Sequence, residues 1–246
     1  MSLEEFLDNL TLEDIEELKK LKLEKVKVYN FSKIGFNKLK ELFMIKRNLK
    51  DEKVFDKWFN NHIKISTEEV EFLNNLLDRE KKYIEIYKEE DLKIKFIAPI
   101  LNKIDFRDEE REIREFYEEK IEYEKKEFKL KGICDFVVSK GLEYAEKPYF
   151  FIQEFKKSIE GDDPRPQLIA ELISAVEINN FKIMRGAYIV GAIWNFVILE
   201  KIGENSYQYF VSDNFDSTKI ENLKEIYKNL LFVKDEIKNM DTGVIV

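Results

Sequence analysis

Apolar residues recur at two periods along the chain, and the switch between them organises it. Leu12, Ile15, Leu18 and Leu21 follow Thr11 at three-residue steps, the spacing of one helix face. Leu39, Leu42, Phe43 and Ile45 predict a second helix. Val54, Phe55, Trp58 and Phe59 predict a third. Between the first two, 26–31 reads as a short strand. Ser66 and Glu69 form a capping-box pattern, and helical spacing then continues to about residue 104, as two helices. In the second, Ile94, Ile97 and Leu101 share a face with Glu90 one turn earlier, whereas Glu89 aligns with Phe96 and Ile100.

Beyond about residue 117 the period shortens to two. Ile121, Tyr123, Phe128 and Leu130 predict a charge-rich strand, 132–139 a second and 149–157 a third, with a turn over 141–148. Asp163 is placed to cap a helix whose first turn admits Pro164 and which runs through Leu168, Leu172, Ile173 and Val176 to Asn179 or Asn180. Strands are predicted over 186–191, 194–199 and 207–211, and a last helix over 216–238. Three consecutive strands suit antiparallel hairpins, and strand–helix–strand suits a parallel crossover. The expected fold is therefore α/β, a mixed β-sheet flanked by helices. It divides into a helical N-terminal appendage, 1–66, and an α/β domain, 67–246.

Composition narrows the chemistry. With 44% hydrophobic and 37% charged residues, the chain reads as soluble and globular. No apolar run approaches the ~18 residues of a membrane span, and the acidic start lacks a signal-peptide pattern. One cysteine, Cys134, rules out an intrachain disulfide and a cysteine-based zinc cluster. One histidine, His62, makes histidine-based catalysis a poor prospect. A reducing, cytoplasmic location is expected. The net charge of −8 counts against a protein that coats nucleic acid electrostatically, but not against an acidic metal site.

The strand at 149–157 carries Glu154 and Lys156 inside an apolar run of Phe150, Phe151, Ile152 and Phe155. Residues two apart share a strand face, so this pair projects together. Burying such charges is costly unless they are paired, bound to a metal or at work. Glu-x-Lys alone means little here, because Glu17/Lys19, Glu80/Lys82 and Glu236/Lys238 repeat it in solvated settings. What distinguishes 154/156 is its company. Asp135 lies in the preceding apolar strand and Gln167 in the first turn of the next helix. Glu171, one turn on, is expected to face solvent, and Cys134 to pack in the core.

Asp on one strand, Glu-x-Lys on the next and Gln on the following helix resembles the PD-(D/E)XK nuclease superfamily, from about 85 to 200. The resemblance implies an αβββαβ restriction-endonuclease-like core and a hydrolase that cleaves phosphodiester bonds, in DNA more than RNA. It implies Asp135, Glu154, Lys156 and Gln167 as catalytic residues. It also implies Mg²⁺ or Mn²⁺ held by Asp135, Glu154 and the Phe155 carbonyl, with Glu90 holding the metal through water or holding a second ion. Cys134 stands where the family name has proline. Such a member would bind nucleic acid, and a homodimer and a restriction or repair setting are further expectations. The alternative is a catalytically inactive member of the same fold that binds nucleic acid or a protein partner.

Overall fold

The protein is described by a computed structural model covering residues 11–17, 26–51, 53–158 and 163–240. Two expectations, the Leu18–Leu21 part of the first helix and the turn at Gly161, lie outside the described residues. Residues 12–17 are helical.

The first strand is β1 (Lys27–Asn30), followed by a 3₁₀ turn (Phe31–Lys33), helix α1 (Phe36–Leu42) and β2 (Met44–Arg47). Next come the short α2 (Asp56–Phe59) and α3 (Thr67–Glu80). Then α4 (Glu89–Leu92), a π-helical turn (Lys93–Ile97) and α5 (Ala98–Ile104) run on from one another. Strands β3 (Ile113–Glu124), β4 (Phe128–Lys140) and β5 (Glu146–Lys156) precede α6 (Pro164–Asn179). The chain continues through β6 (Ile183–Val190), β7 (Ile193–Gly203), β8 (Ser206–Val211), β9 (Phe215–Asp216) and α7 (Ile220–Asn239).

Among the described residues nine strands form one mixed sheet, ordered β1-β4-β5-β6-β7-β8-β2, with β3 on β4 and β9 on β7. β3, β4 and β5 are antiparallel neighbours, and α6 returns the chain to β6, parallel to β5. The mixed sheet with flanking helices matches the expected class. Within it the charge-rich strand is really two, since 125–127 is the bend of the β3–β4 hairpin.

Within 1–66 the described residues form helices, the strand expected near 26–31 and one strand that was not expected, β2. β1 pairs parallel to the start of β4 and β2 pairs parallel to β8, so this region supplies strands at both ends of the sheet path. Phe43 is extended (φ −141°, ψ 149°) and ends α1, and Ile45 lies in β2 and not in a helix. Four-residue β2 carries too little alternation to stand out from the helical spacing before it.

Helices cover both faces. The 3₁₀ turn, α1 and α6 share a core with one face through Phe31, Leu39, Leu168 and Ile173; α2, α3, α4–α5 and α7 cover the other through Trp58, Leu73, Phe96 and Leu230. The capping box at α3 forms as expected, with Glu69 N–H donating to Ser66 Oγ and Ser66 N–H to Glu69 Oε2. Asp163 caps α6 through the Arg165 N–H. Because α6 is sandwiched between sheet and 3₁₀ turn, it is buried all round from Leu168 to Val176. Gly186 lets it approach closely: a Cβ there would lie 2.8 Å from the Ile152 carbonyl oxygen and 3.0 Å from Leu172. Among the described residues no helix is long and apolar enough to cross a membrane.

Candidate active site

The site lies where β4 and β5 part. Their register runs from Lys140 opposite Glu146 to Phe136 opposite Gln153 and ends there. Continued by one residue it would set Asp135 against Glu154. Side chains take over at that point. The Asp135 N–H donates to Glu154 Oε1 at 3.3 Å, and the Phe155 N–H donates to Asp135 Oδ2 at 2.8 Å. The two carboxylates thereby satisfy backbone donors that the broken ladder would strand.

The other edge of β4 is interrupted at the same level. β3 pairs Tyr117 with Phe136 and Glu119 with Cys134, skipping Glu118 and Asp135. Glu118 is left-handed (φ 55°), a conformation costing a non-glycine residue about 1–3 kcal/mol. The neighbours of Asp135 therefore lie on opposite sides: Cys134 packs in the α6 core and Phe136 in the other.

On the α6 side, Gln167 Nε2 donates to Glu154 Oε2 at 2.7 Å and to Glu171 Oε1 at 3.1 Å. Glu154 and Glu171 are both fully buried. This corrects the expectation that Glu171 faces solvent. Gln167 and Glu171 are four residues apart, one turn of the same face. The near-continuous apolar composition of α6 was the available signal that this face is covered.

On the opposite side stands a residue the sequence reading missed. Lys93, in the π-helical turn, is buried, donates to Glu118 Oε1 at 2.9 Å, reaches Asp135 Oδ1 at 3.5 Å and lies over the Phe155 ring. A π turn inserts an extra residue per turn and shifts the helix phase. The shift also changes the expected helix face. Of the expected face Ile97 and Leu101 are buried but Ile94 is 64% exposed, and Leu92, Phe96 and Ile100 are buried as well. Glu90 is exposed, and its charge acts on Lys93. Its neighbour Glu89 instead reaches β5, accepting from the Lys157 N–H at 3.0 Å.

Lys156 closes β5, half-buried and two residues beyond Glu154. Lys157 and Arg165 are engaged structurally. Lys157 Nζ caps the Ile84 and Glu85 carbonyls at 2.7 Å, and Arg165 is held by Asp163. Asp135, Glu154, Phe155 and Gln167 thus converge as expected, with Lys156 on the same strand, and Glu90 stays at the surface.

The electrostatics are those of buried acids packed close together. Burial, then the charges of Glu171 and Asp135, push the Glu154 carboxyl well above its usual range. Burial pushes Glu171 up to about 8. Both shifts run toward the protonated, uncharged carboxyl. Burial, reinforced by Glu171 and Glu154, also raises the Cys134 thiol. Burial disfavours the Lys93 ammonium, but the bond to Glu118 and the charges of Asp135, Glu118 and Glu90 outweigh it, so its pKa is raised.

Converging carboxylates fit a divalent cation, which would relieve their mutual repulsion. Cys134, Glu154 and Glu171 each offer one ligand atom, all within 4.8 Å of one another. Glu171 Oε2 is buried without a hydrogen-bond partner. Asp135 and Glu154, one from each strand, offer an all-oxygen alternative. No protein-family model matches the chain, and no curated protein matches it.

Proposed function

We propose that the chain is a divalent-metal-dependent nuclease with a PD-(D/E)XK-type site in a restriction-endonuclease-like αβββαβ core. One observation carries the reading: Asp135 and Glu154 interlock where the β4–β5 ladder ends, with Gln167 of the following helix bound to Glu154. The order helix, three antiparallel strands, helix, parallel strand supports it.

In this reading Asp135, Glu154 and the Phe155 carbonyl hold Mg²⁺ or Mn²⁺, hard cations that prefer oxygen ligands. The ion would supply Lewis acidity toward a phosphodiester and lower the pKa of a bound water. Lys156 stabilises the charge that develops on phosphorus. Gln167 fixes the Glu154 carboxylate, and Lys93 holds Asp135 from the other side. DNA is the proposed substrate ahead of RNA.

The inactive binding module keeps one observation in its favour. Glu154 is fully buried and Asp135 is paired with Lys93, an arrangement that also suits a closed structural network. Incubating the full chain with duplex DNA, single-stranded DNA and RNA in Mg²⁺ or Mn²⁺ separates the two. A nuclease cleaves at least one of them, is silenced by chelation, and loses activity in Asp135→Asn, Glu154→Gln and Lys156→Ala. Cleavage of none by folded wild-type protein, or undiminished cleavage by those variants, refutes the nuclease reading.

A further inference from the structure

The α6 side of the fork holds more than phosphodiester hydrolysis uses. Cys134 from β4, Glu154 from β5 and Glu171 from α6 bring a sulfur and two carboxylate oxygens within 4.8 Å of one another, all three residues fully buried. Gln167 occupies Glu171 Oε1, but Glu171 Oε2 is buried without a hydrogen-bond partner. A buried polar atom left unpaired costs about 1–3 kcal/mol. Around a small tetrahedral ion with bonds of about 2.0–2.3 Å, ligand atoms stand about 3.3–3.8 Å apart, a spread compatible with this grouping.

We infer that Cys134, Glu154 and Glu171 form a second cation site, selective for a borderline-soft divalent ion of the Zn²⁺ class. The selectivity follows from the donor set. A thiolate suits Zn²⁺ and Co²⁺ and is a poor ligand for Mg²⁺, which demands oxygen and keeps its waters. The ligands stand on two strands and a helix, rigid elements that hold a coordination geometry well. An ion here ties β4, β5 and α6 together at the level where the β4–β5 ladder is missing. It also shares Glu154 with the proposed catalytic metal, so Zn²⁺ should displace Mg²⁺ from that carboxylate, whereas Mg²⁺, with little affinity for the thiolate, should not displace the softer ion. This competition rests on the nuclease reading; the binding site itself does not.

The chain has one cysteine, so a thiolate–metal signal can arise only from Cys134. Chelator-treated full-length protein titrated with Co²⁺ should develop a near-ultraviolet sulfur-to-cobalt charge-transfer band saturating at one equivalent. Zn²⁺ should erase it and excess Mg²⁺ should leave it. Cys134→Ser should abolish the band and Glu171→Gln should weaken Co²⁺ binding at least tenfold, whereas Asp135→Asn should retain it. Circular dichroism checks that each variant is folded. No band in folded wild-type protein, or unchanged Co²⁺ affinity in folded Glu171→Gln, overturns the site. An intact band in a protein that cleaves nothing sinks the nuclease reading alone.

Discussion

Glu171 and Glu177 lie on the same helix, yet meet opposite kinds of neighbour. Glu177 accepts from Lys201 Nζ at 2.7 Å and from the Tyr207 hydroxyl at 2.5 Å. Glu171 faces Glu154, another buried acid, and the Cys134 thiol. At Glu177 the charge is balanced locally by residues that also bind the helix to β7 and β8. At Glu171 the described hydrogen bond comes from the neutral Gln167 amide, and burial raises the carboxyl pKa to about 8. Breaking a local ion pair costs stability, whereas acids massed without a counter-charge mark a place where an outside partner acts. Buried acid alone is therefore a poor guide to function; the sign of its neighbours discriminates.

The contrast breaks most visibly in activity. If the acids at the fork hold the catalytic metal, Asp135→Asn or Glu154→Gln should lower the Mg²⁺-dependent cleavage rate by about 10³-fold, since the ion's charge stabilisation is worth several kcal/mol. Glu177→Gln should change the rate by no more than about twofold, because the bonds of Glu177 go to Lys201 and Tyr207 and to none of the acids at the fork. Equal losses in the two would erase the distinction.

Stability should show the reverse order. Glu177→Ala strands a half-buried ammonium and a buried hydroxyl, and should cost about 1–3 kcal/mol in urea unfolding. A cost under about 0.5 kcal/mol would mean that the pair is decorative.

pH sharpens the comparison further. A carboxyl whose folded-state pKa is raised binds more protons folded than unfolded between the two values. For Glu171 these are 4.5 and about 8, so the metal-free protein should lose stability as pH rises through that window and stay at the lower value above it. Glu171→Gln should flatten this stretch of a Tm-versus-pH curve. An equally steep curve in the variant would place the titration elsewhere.

The smallest effect is expected at α4. Glu89→Ala removes the acceptor of the Lys157 N–H and should cost about 1 kcal/mol. Glu90→Ala, at an exposed position, should stay within about 0.5 kcal/mol. Calorimetry on the two variants tests whether the π-helical turn has assigned the structural contact to Glu89.

Legibility in the sequence followed the same division. Asp135 and Glu154 were readable because a polar residue inside an apolar strand contradicts its surroundings. Gln167 was readable from its place after a helix cap. Glu171 was misread because acids on helices usually face water, and the burial of α6 depends on a 3₁₀ turn far away in the chain. Lys93 escaped because spacing arguments assume a constant 3.6-residue turn, which the π-helical turn breaks. β1 was readable as a short strand at 26–31, though its partner was not, whereas β2 escaped because its partner lies far along the chain, at Ser206, where no local pattern points back to it.

Those two short strands carry a practical consequence. Because β1 shields 128–131 of β4 and β2 shields the outer side of β8, cutting the chain at residue 66 would uncover two rows of unsatisfied backbone groups at once. Each row is a template on which another molecule could stack. A fragment starting there should self-associate through its raw edges, and the first 66 residues double as a guard against aggregation.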